Sequence, residues 1–154
     1  MRRGSPEAPA GVLVCGVDDS ECGRAAARVA ARLGPKLGLR TVLVHVAEVP
    51  ALIESGRAAT AASLSELDGK KAQYLLAAIA VEEHLGPVER RVEFGMAAEQ
   101  LVRIAEEEAA ALLVLGSRGR GPFKGALLGS VSTDAVATAS CPVLVVPPGA
   151  AARA

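Results

Sequence analysis

Glycine, cationic and hydroxyl residues are concentrated in one segment, residues 116–132. It reads GSRGRGPFKGALLGSVS, with glycine at positions 116, 119, 121, 125 and 129. Glycine lets a backbone approach a ligand closely, and successive backbone N–H groups form a nest for phosphate oxygens. Ser130 and Ser132 add hydroxyl groups at an expected helix N-terminus, which also favours anions. The segment predicts a phosphate-binding loop, with a flexible surface loop before a capped helix as the alternative.

Two well-known phosphate loops do not fit this segment. The Walker A motif needs Lys-Ser or Lys-Thr after its second glycine, but Pro122-Phe123 follows Gly121. The dinucleotide motif G-x-G-x-x-G follows the first strand of its domain. Here the first predicted strand runs into Asp18-Asp19, and position 124 is a lysine. The segment therefore has a glycine spacing of its own.

Strands and helices are predicted to alternate around this segment. Apolar runs at 12–17, 41–46, 111–116 and 143–146 predict buried strands, and the alternating run 88–94 predicts a half-exposed strand at or near an edge. Apolar residues at helical spacing predict helices between them. The order βαβαβαβαβ is typical of an α/β fold with a parallel sheet and helices on both faces. Such sheets bind ligands beyond the carboxyl ends of their strands.

Helix boundaries are predicted from capping residues. Ser20 is a good N-cap for the first helix, which is expected to stop at Gly34-Pro35. Ser63 and Glu66 have capping-box spacing and are expected to open the second helix. The third helix is expected to end in a solvated acidic run, 106–108. The apolar side of the second helix is expected to consist of Leu67, Tyr74, Ala78 and Leu85.

Composition limits the classes of function. The 154 residues suit one domain, expected at 10–147 between flexible tails at 1–9 and 148–154. Because 17 basic residues balance 17 acidic ones and aromatic residues are 2%, we expect no nucleic acid or membrane partner. The 3 scattered cysteines predict neither a disulfide framework nor a zinc site, and favour a reducing, cytoplasmic location. We see no signal peptide and no apolar run long enough for a membrane helix.

Several short motifs together resemble one known family. Gly116, Gly119, Gly129 and Ser130 form the pattern G-x2-G-x9-G-[ST]. The first strand ends in V-D-x-S at 17–20, the second in His-Val at 45–46, and the segment 95–98 reads G-x-A-A before a closing CPVLVVP. From Val12 to Pro147 the chain resembles the universal stress protein family, in its ATP-binding branch.

The resemblance implies a fold, an assembly and a ligand. The fold would be a Rossmann-like open sheet of five parallel strands in the order 3-2-1-4-5. Two copies would pair through the last strand, Val143–Val146. The ligand would be ATP, with or without Mg²⁺ carried on its phosphates. The hydroxyl groups of Ser130 and Ser132 are both candidates for a Mg²⁺ ligand, and Ser132 is the one that we favour.

The resemblance also implies which residues contact the nucleotide. Asp18 and Val46 are expected on the adenine or ribose side, and Gly116 and Gly119 along the ribose and the phosphates. The phosphates are expected on Gly129, Ser130, Val131 and Ser132.

Three charged or polar side chains are also expected near this predicted site. Arg118 is favoured as a clamp on phosphate, because a guanidinium makes charge-assisted hydrogen bonds. Asp19 departs from the glycine of many relatives, so its carboxylate would either repel triphosphate or point away as a helix-terminal charge. His45 is interpreted as a packed or hydrogen-bonded histidine at a strand end.

Three classes of function stay open at this point. The first is an ATP-binding, nucleotide-dependent regulator of a stress response. The second is a slow ATPase or phosphotransferase, for which the sequence offers no convincing general base, so at most weak hydrolysis and no catalytic residue are expected. The third is a dimeric interaction protein that works without nucleotide. AMP or a cyclic nucleotide in place of ATP also stays open.

Overall fold

The computed structural model describes residues 10–48, 58–119 and 127–150, without the side chains of 58–65. The predicted N-terminal tail at 1–9, the end of the C-terminal tail at 151–154 and the middle of the glycine segment at 120–126 lie outside the described residues. Strands and helices alternate in this order: β1 (Gly11–Gly16), α1 (Glu21–Lys36), β2 (Leu39–Ala47), α2 (Ala58–Glu82), β3 (Glu89–Phe94), α3 (Ala97–Glu107), β4 (Leu112–Gly116), α4 (Ser130–Thr138) and β5 (Val143–Val146).

The strands form one parallel sheet in the order β3-β2-β1-β4-β5, which confirms the predicted α/β class and strand order. β1 pairs with β2 from Gly11↔Leu39 to Gly16↔Val44, and with β4 on its other side. The chain thus runs from the central strand β1 through β2 to the edge strand β3, and then crosses to β4 and the other edge strand, β5. The strand order reverses between β1 and β4, where open sheets of this kind bind ligands.

Both faces of the sheet are buried under helices. Successive side chains of a strand point to opposite faces, so Leu13 and Cys15 of β1 pack in one core cluster while Val12 and Val14 pack in the other. The first cluster also contains Leu76 of α2. The second cluster contains residues from α3 and α4. The apolar, unpatterned strands of the sequence follow from this double burial.

The second helix differs from its prediction in two ways. α2 begins at Ala58, so the capping box at Ser63 does not open it. Its buried side contains Leu76 and Ile79, whereas Leu67 and Tyr74 are 53% and 76% exposed. Apolar residues occur on both sides of this helix, so helical spacing alone does not identify the side that faces the sheet.

The first helix passes through its predicted stop at Gly34-Pro35 and ends at Lys36. The left-handed residue that follows it is Gly38, with φ 67°. Gly34 has another role, because a Cβ atom at this position would lie 2.1 Å from Thr41 Oγ1. The glycine lets α1 lie directly on β2. The N-cap prediction is confirmed, since Ser20 Oγ accepts a hydrogen bond from the Gly23 N–H group at 3.0 Å.

The acidic end of the third helix is also not simply solvated. Glu108 accepts a hydrogen bond from Arg40 at 2.8 Å, and Glu107 accepts one from Arg91 at 3.2 Å and another from Arg103. The hydrogen bond from Arg103, supported by Arg91, holds the pKa of Glu107 below its ordinary value. These ion pairs tie α3 to β2 and β3, so the acidic run is part of the tertiary structure.

Candidate functional site

A cleft of about 790 Å³ opens where β1, β2 and β4 end, next to the start of α4. All the residues predicted to contact nucleotide line it. These are Asp18, Val46, Gly116, Arg118, Gly119, Gly129, Ser130, Val131 and Ser132. The topology explains this grouping, because parallel strands place their carboxyl ends at one side of the sheet.

Asp18 is held by the cap of the first helix. Its Oδ1 atom accepts a hydrogen bond from the Ser20 N–H group at 3.1 Å and another from the Ser20 hydroxyl group. The same hydroxyl oxygen accepts from the Gly23 N–H group. One carboxylate oxygen of Asp18 is therefore engaged inside the protein, and the side chain is fixed in position.

The second carboxylate oxygen of Asp18 lies beside Gly119. A Cβ atom on Gly119 would be 2.8 Å from Asp18 Oδ2, closer than non-bonded atoms normally approach. An ionised carboxylate only accepts hydrogen bonds, so a ligand group that meets Oδ2 must be a donor, such as an amino or hydroxyl group. Gly119 thus keeps space open beside an acceptor at the cleft.

Gly116 allows close packing of backbone on backbone. A Cβ atom here would lie 2.7 Å from the carbonyl carbon of Cys22 and 2.8 Å from its oxygen. The end of β4 therefore rests against the first turn of α1. Its neighbour Ser117 donates its N–H group to the Val146 carbonyl at 2.8 Å, which fixes the same strand end to β5.

The start of α4 supplies backbone donors. The first N–H groups of an α-helix have no partner within the helix, and those of Ser130, Val131 and Ser132 occupy these positions. Ser117 O accepts the Gly129 N–H group at 2.6 Å, and the Ser132 hydroxyl lies 3.1 Å from both Ser117 O and Gly129 O. Ser132 is 2% exposed. Its hydroxyl hydrogen therefore serves backbone carbonyl groups, and the exposed hydroxyl that lines the cleft is that of Ser130.

Asp19 points towards α1. Its carboxylate accepts hydrogen bonds from Arg24 at 2.8 and 3.1 Å, and Arg24 also binds Glu82 at 2.7 Å and Glu83. The hydrogen bond to Asp19, together with those to the glutamates, raises the pKa of Arg24 above its ordinary value. Asp19 lines the cleft, so it does not point away from it, but its charge is compensated by Arg24 within the protein.

His45 also lines the cleft, and its Nδ1 atom lies 2.8 Å from Val17 O. Since a carbonyl group only accepts, Nδ1 carries the hydrogen, and Nε2 is the acceptor of the neutral ring. The interpretation of His45 as a hydrogen-bonded histidine at a strand end is confirmed. The bond ties the end of β2 to the loop that begins Val17-Asp18.

Sequence reasoning missed the wall of the cleft that α2 and α3 supply. Asp68, Lys71 and Leu75 of α2 line it, as do Ala97 and Leu101 of α3. Asp68 and Lys71 are an ion pair at 3.7 Å. Of these residues only Ala97 belongs to a motif, the G-x-A-A segment at 95–98, and all of them reach the cleft because α2 and α3 cover opposite faces of the same sheet.

The described residues contain no group of three or more His, Cys, Asp or Glu side chains arranged to hold a metal ion. The three cysteines are free thiols, and burial raises the pKa of the Cys15 thiol far above its ordinary value. Within 10–48, 58–119 and 127–150, no helix has both the length and the apolar character needed to cross a membrane. The polar groups of the cleft are thus the leading candidates for chemistry in the described part of the chain.

The fold and this cleft agree with a comparison to known sequences. The pattern of the universal stress protein family matches residues 11–147. The chain belongs to the universal stress protein family. It is 27% identical over 136 residues to universal stress protein MJ0531 of Methanocaldococcus jannaschii. The aligned residues make up 87% of this chain and 80% of that protein. A universal stress protein of Mycolicibacterium smegmatis is 49% identical over 61 residues, 40% of this chain and only 20% of that longer relative.

Solved structures of the family have the same fold. MJ0577 of Methanocaldococcus jannaschii superposes with a TM-score of 0.76 at 26% identity, over 90% of this chain and 96% of that one. A universal stress protein in complex with cAMP has a TM-score of 0.61 at 23% identity, over 90% and 98% of the two chains. One from Archaeoglobus fulgidus in complex with dAMP has a TM-score of 0.63 at 20% identity, over the same shares.

Proposed function

We propose that this universal stress protein binds ATP in the cleft and acts as a nucleotide-dependent regulatory module in a stress response. One observation carries the proposal: the open amides at the start of α4, the space beside Gly119 and the acceptor Asp18 Oδ2 line one cleft. Family members in complex with cAMP and dAMP support an adenine nucleotide as the class of ligand.

The two halves of the cleft suit the two halves of a nucleotide. Phosphate oxygens suit the start of α4, where the amides of Ser130 and Val131 carry partial positive charge, and Arg118 adds a cationic side chain. An adenine amino group or a ribose hydroxyl suits Asp18 Oδ2, which needs a donor. Mg²⁺ would reach this site on the phosphates and neutralise their charge, and the exposed Ser130 hydroxyl suits such an ion better than that of Ser132.

The test is calorimetric titration of ATP, AMP and cAMP, together with native mass spectrometry of the purified protein. Asp18→Asn keeps an acceptor for Ser20 and replaces the acceptor beside Gly119, so we expect it to weaken ATP binding by ~10-fold. Asp134→Asn is the matched control, since Asp134 is exposed on α4 and does not line the cleft. Equal ATP affinity in the two variants, or no binding by the unchanged protein, would contradict the proposal.

We further propose a homodimer paired through β5. This strand is a sheet edge, and its residues Val143, Leu144 and Val145 are only partly buried. The carbonyl groups of Pro142 and Val146 point to β4, where they accept from Leu113 and Ser117. In a parallel strand the N–H and C=O groups alternate sides residue by residue, so those of Val143 and Val145 point outward. An unpaired apolar edge of this kind favours pairing with a second copy.

Val145→Pro removes an outward N–H group without removing a bond to β4. We expect it to remove the pairing through β5 and so lower the mass of the assembly in sedimentation, while Val145→Thr keeps the N–H group and the mass. An unchanged mass for Val145→Pro would exclude β5 as the interface. The cytoplasm is the compartment that we propose, because the described thiols are free.

A further inference from the structure

The outer face of α2 is apolar although it points away from the sheet. We define this face by Leu67, Tyr74, Ala78 and Val81. The three large residues of this face are 53%, 76% and 74% exposed, respectively, and follow one another at intervals of seven. The opposite side of the same helix packs Leu76 and Ile79 into the core. A helix that is apolar on both sides is usually buried on both sides.

We propose that the outer face of α2 binds the same face of a second copy of this chain, as an antiparallel helix pair. An apolar repeat of seven residues is the spacing by which two helices pack along their length. The face is also self-complementary in charge. Lys71 and Glu82 flank it near its two ends, with side chains that are 79% and 58% exposed.

The register of the pair follows from these two charges. When the twofold axis passes between Leu76 and Ala77, Lys71 lies opposite the partner's Glu82, and the symmetry makes this pair twice. In the same register Tyr74 reaches the partner's Ala78, a large side chain against a small one. Glu82 contacts Arg24 through Oε2. Its second oxygen remains to meet a lysine, and a carboxylate has acceptor sites for both cations.

This interface is separate from β5, and Lys71 is the one of its named residues that also lines the cleft. α2 covers β2 and β3, whereas β5 is the opposite edge of the sheet. The two contacts are therefore compatible, and a chain that uses both assembles beyond a dimer. Because Ala78 does not line the cleft, Ala78→Arg tests the interface without altering the proposed ATP site.

Sedimentation velocity over a range of protein concentrations tests the interface. Ala78→Arg places a charge in the centre of the face, and we expect it to remove this contact, which leaves monomers, or dimers where β5 also pairs. Leu37→Arg is the matched control, an apolar-to-arginine change at the C-cap residue of α1, which is 54% exposed. The same mass for the unchanged chain, Ala78→Arg and Leu37→Arg would overturn the proposal, and would leave a different protein as the occupant of this face.

A charge exchange tests the register and the identity of the partner. Lys71→Glu and Glu82→Lys alone should each weaken association by ~10-fold, and the double variant should recover most of the loss. If the double variant does not associate more tightly than both single variants, the antiparallel pairing is overturned. Circular dichroism of each variant verifies folding.

The chain carries its own probe for this contact. Tyr74 is the single tyrosine and there is no tryptophan. We expect acrylamide to quench its fluorescence less at high protein concentration than after dilution, and equally at all concentrations in Ala78→Arg. Quenching of the unchanged chain that does not depend on concentration would contradict the inference.

Discussion

The two ends of the sheet use glycine for opposite purposes. At the carboxyl end, Gly119 leaves space beside Asp18 Oδ2, where a Cβ atom would lie at 2.8 Å. At the amino end, Gly34 lets α1 close against Thr41, where a Cβ atom would lie 2.1 Å from Oγ1. The first glycine keeps a surface accessible and the second seals one. The comparison teaches that a glycine in an α/β fold indicates a ligand site only when its empty side faces a cleft.

The charged and polar groups also differ between the two ends of the sheet. Near the amino end, Arg40 binds Glu89 and Glu108, and the hydrogen bond to Glu108 contributes most to raising the pKa of Arg40. Near the carboxyl end, backbone amides of α4 present donors to the cleft. Substitutions at the amino end should therefore change stability alone, whereas those at the carboxyl end should separate into stability and binding effects.

The largest effect is expected at Gly116, where the two nearest contacts of an added Cβ atom are backbone atoms. Gly116→Ala places a methyl group 2.7 Å from the Cys22 carbonyl carbon, and neither chain segment moves easily. We expect a loss of about 3 kcal/mol in the free energy of unfolding, measured with urea. Gly149→Ala, at an exposed glycine with nothing within 4 Å, controls for loss of glycine itself, although its φ of 81° adds strain. A loss at Gly116 no greater than this control would contradict close packing.

At the amino end, Gly34→Ala should cost about 1–2 kcal/mol of unfolding free energy and leave ATP affinity unchanged. Overpacking against Thr41 Oγ1 and Leu39 O outweighs the gain of about 1 kcal/mol in helix propensity. Urea unfolding and ATP titration of the same sample measure both quantities. Thr41→Ser in the same chain should recover little, because the clash is with the oxygen, while Thr41→Ala should recover more. A change in ATP affinity would break the comparison between the two ends.

At the carboxyl end, Gly119→Ala should weaken ATP binding by ~10-fold and cost less than about 1 kcal/mol of stability. The new methyl group meets only the carboxylate oxygen of Asp18, which can rotate away at the expense of its place in the cleft. Titration and urea unfolding check the two values. A large stability loss with unchanged affinity would show that Gly119 behaves like Gly34.

The pH dependence of stability should include a modest contribution from Glu83. Burial acts to raise its pKa, but hydrogen bonds and charge from Arg28 and Arg24 outweigh burial and hold the pKa below its ordinary value. A lowered carboxyl pKa stabilises the folded state at neutral pH. This contribution is lost as the pH falls from the ordinary carboxyl range through the lowered pKa of Glu83. In Glu83→Gln the unfolding free energy should depend less on pH in this acidic range, as measured by urea unfolding at a series of pH values. An unchanged pH profile would contradict the ion pair.

The smallest effect is expected at Thr41, whose buried hydroxyl has no hydrogen-bond partner among the described residues. Thr41→Val keeps the shape and removes the unsatisfied group. We therefore expect stability to rise by up to about 1 kcal/mol, measured by thermal or urea unfolding. A loss of stability would indicate that the hydroxyl has a partner after all, and would weaken the view of this end as purely structural.

The sequence was sufficient for the order of elements and for the bounds of β5, because buried parallel strands produce short apolar runs between helices. It was insufficient for the inner side of α2, since Tyr74 and Leu76 are both apolar and helical spacing does not rank them. Gly34-Pro35 resembles a helix stop, yet its meaning depends on Thr41, a residue of the next strand. The motif residues of the cleft were predictable, whereas Asp68 and Lys71 were not, because only tertiary packing brings them there.

Ser117 has a consequence for communication within the molecule. Its N–H group holds the carbonyl of Val146, while its own carbonyl receives the Gly129 amide and the Ser132 hydroxyl. A single residue thus connects the mouth of the cleft to the outermost strand β5. Any shift of α4 that accompanies occupancy of the cleft has a path of two hydrogen bonds to that strand. The fold thereby possesses a short mechanical link through which an assembly could sense its ligand.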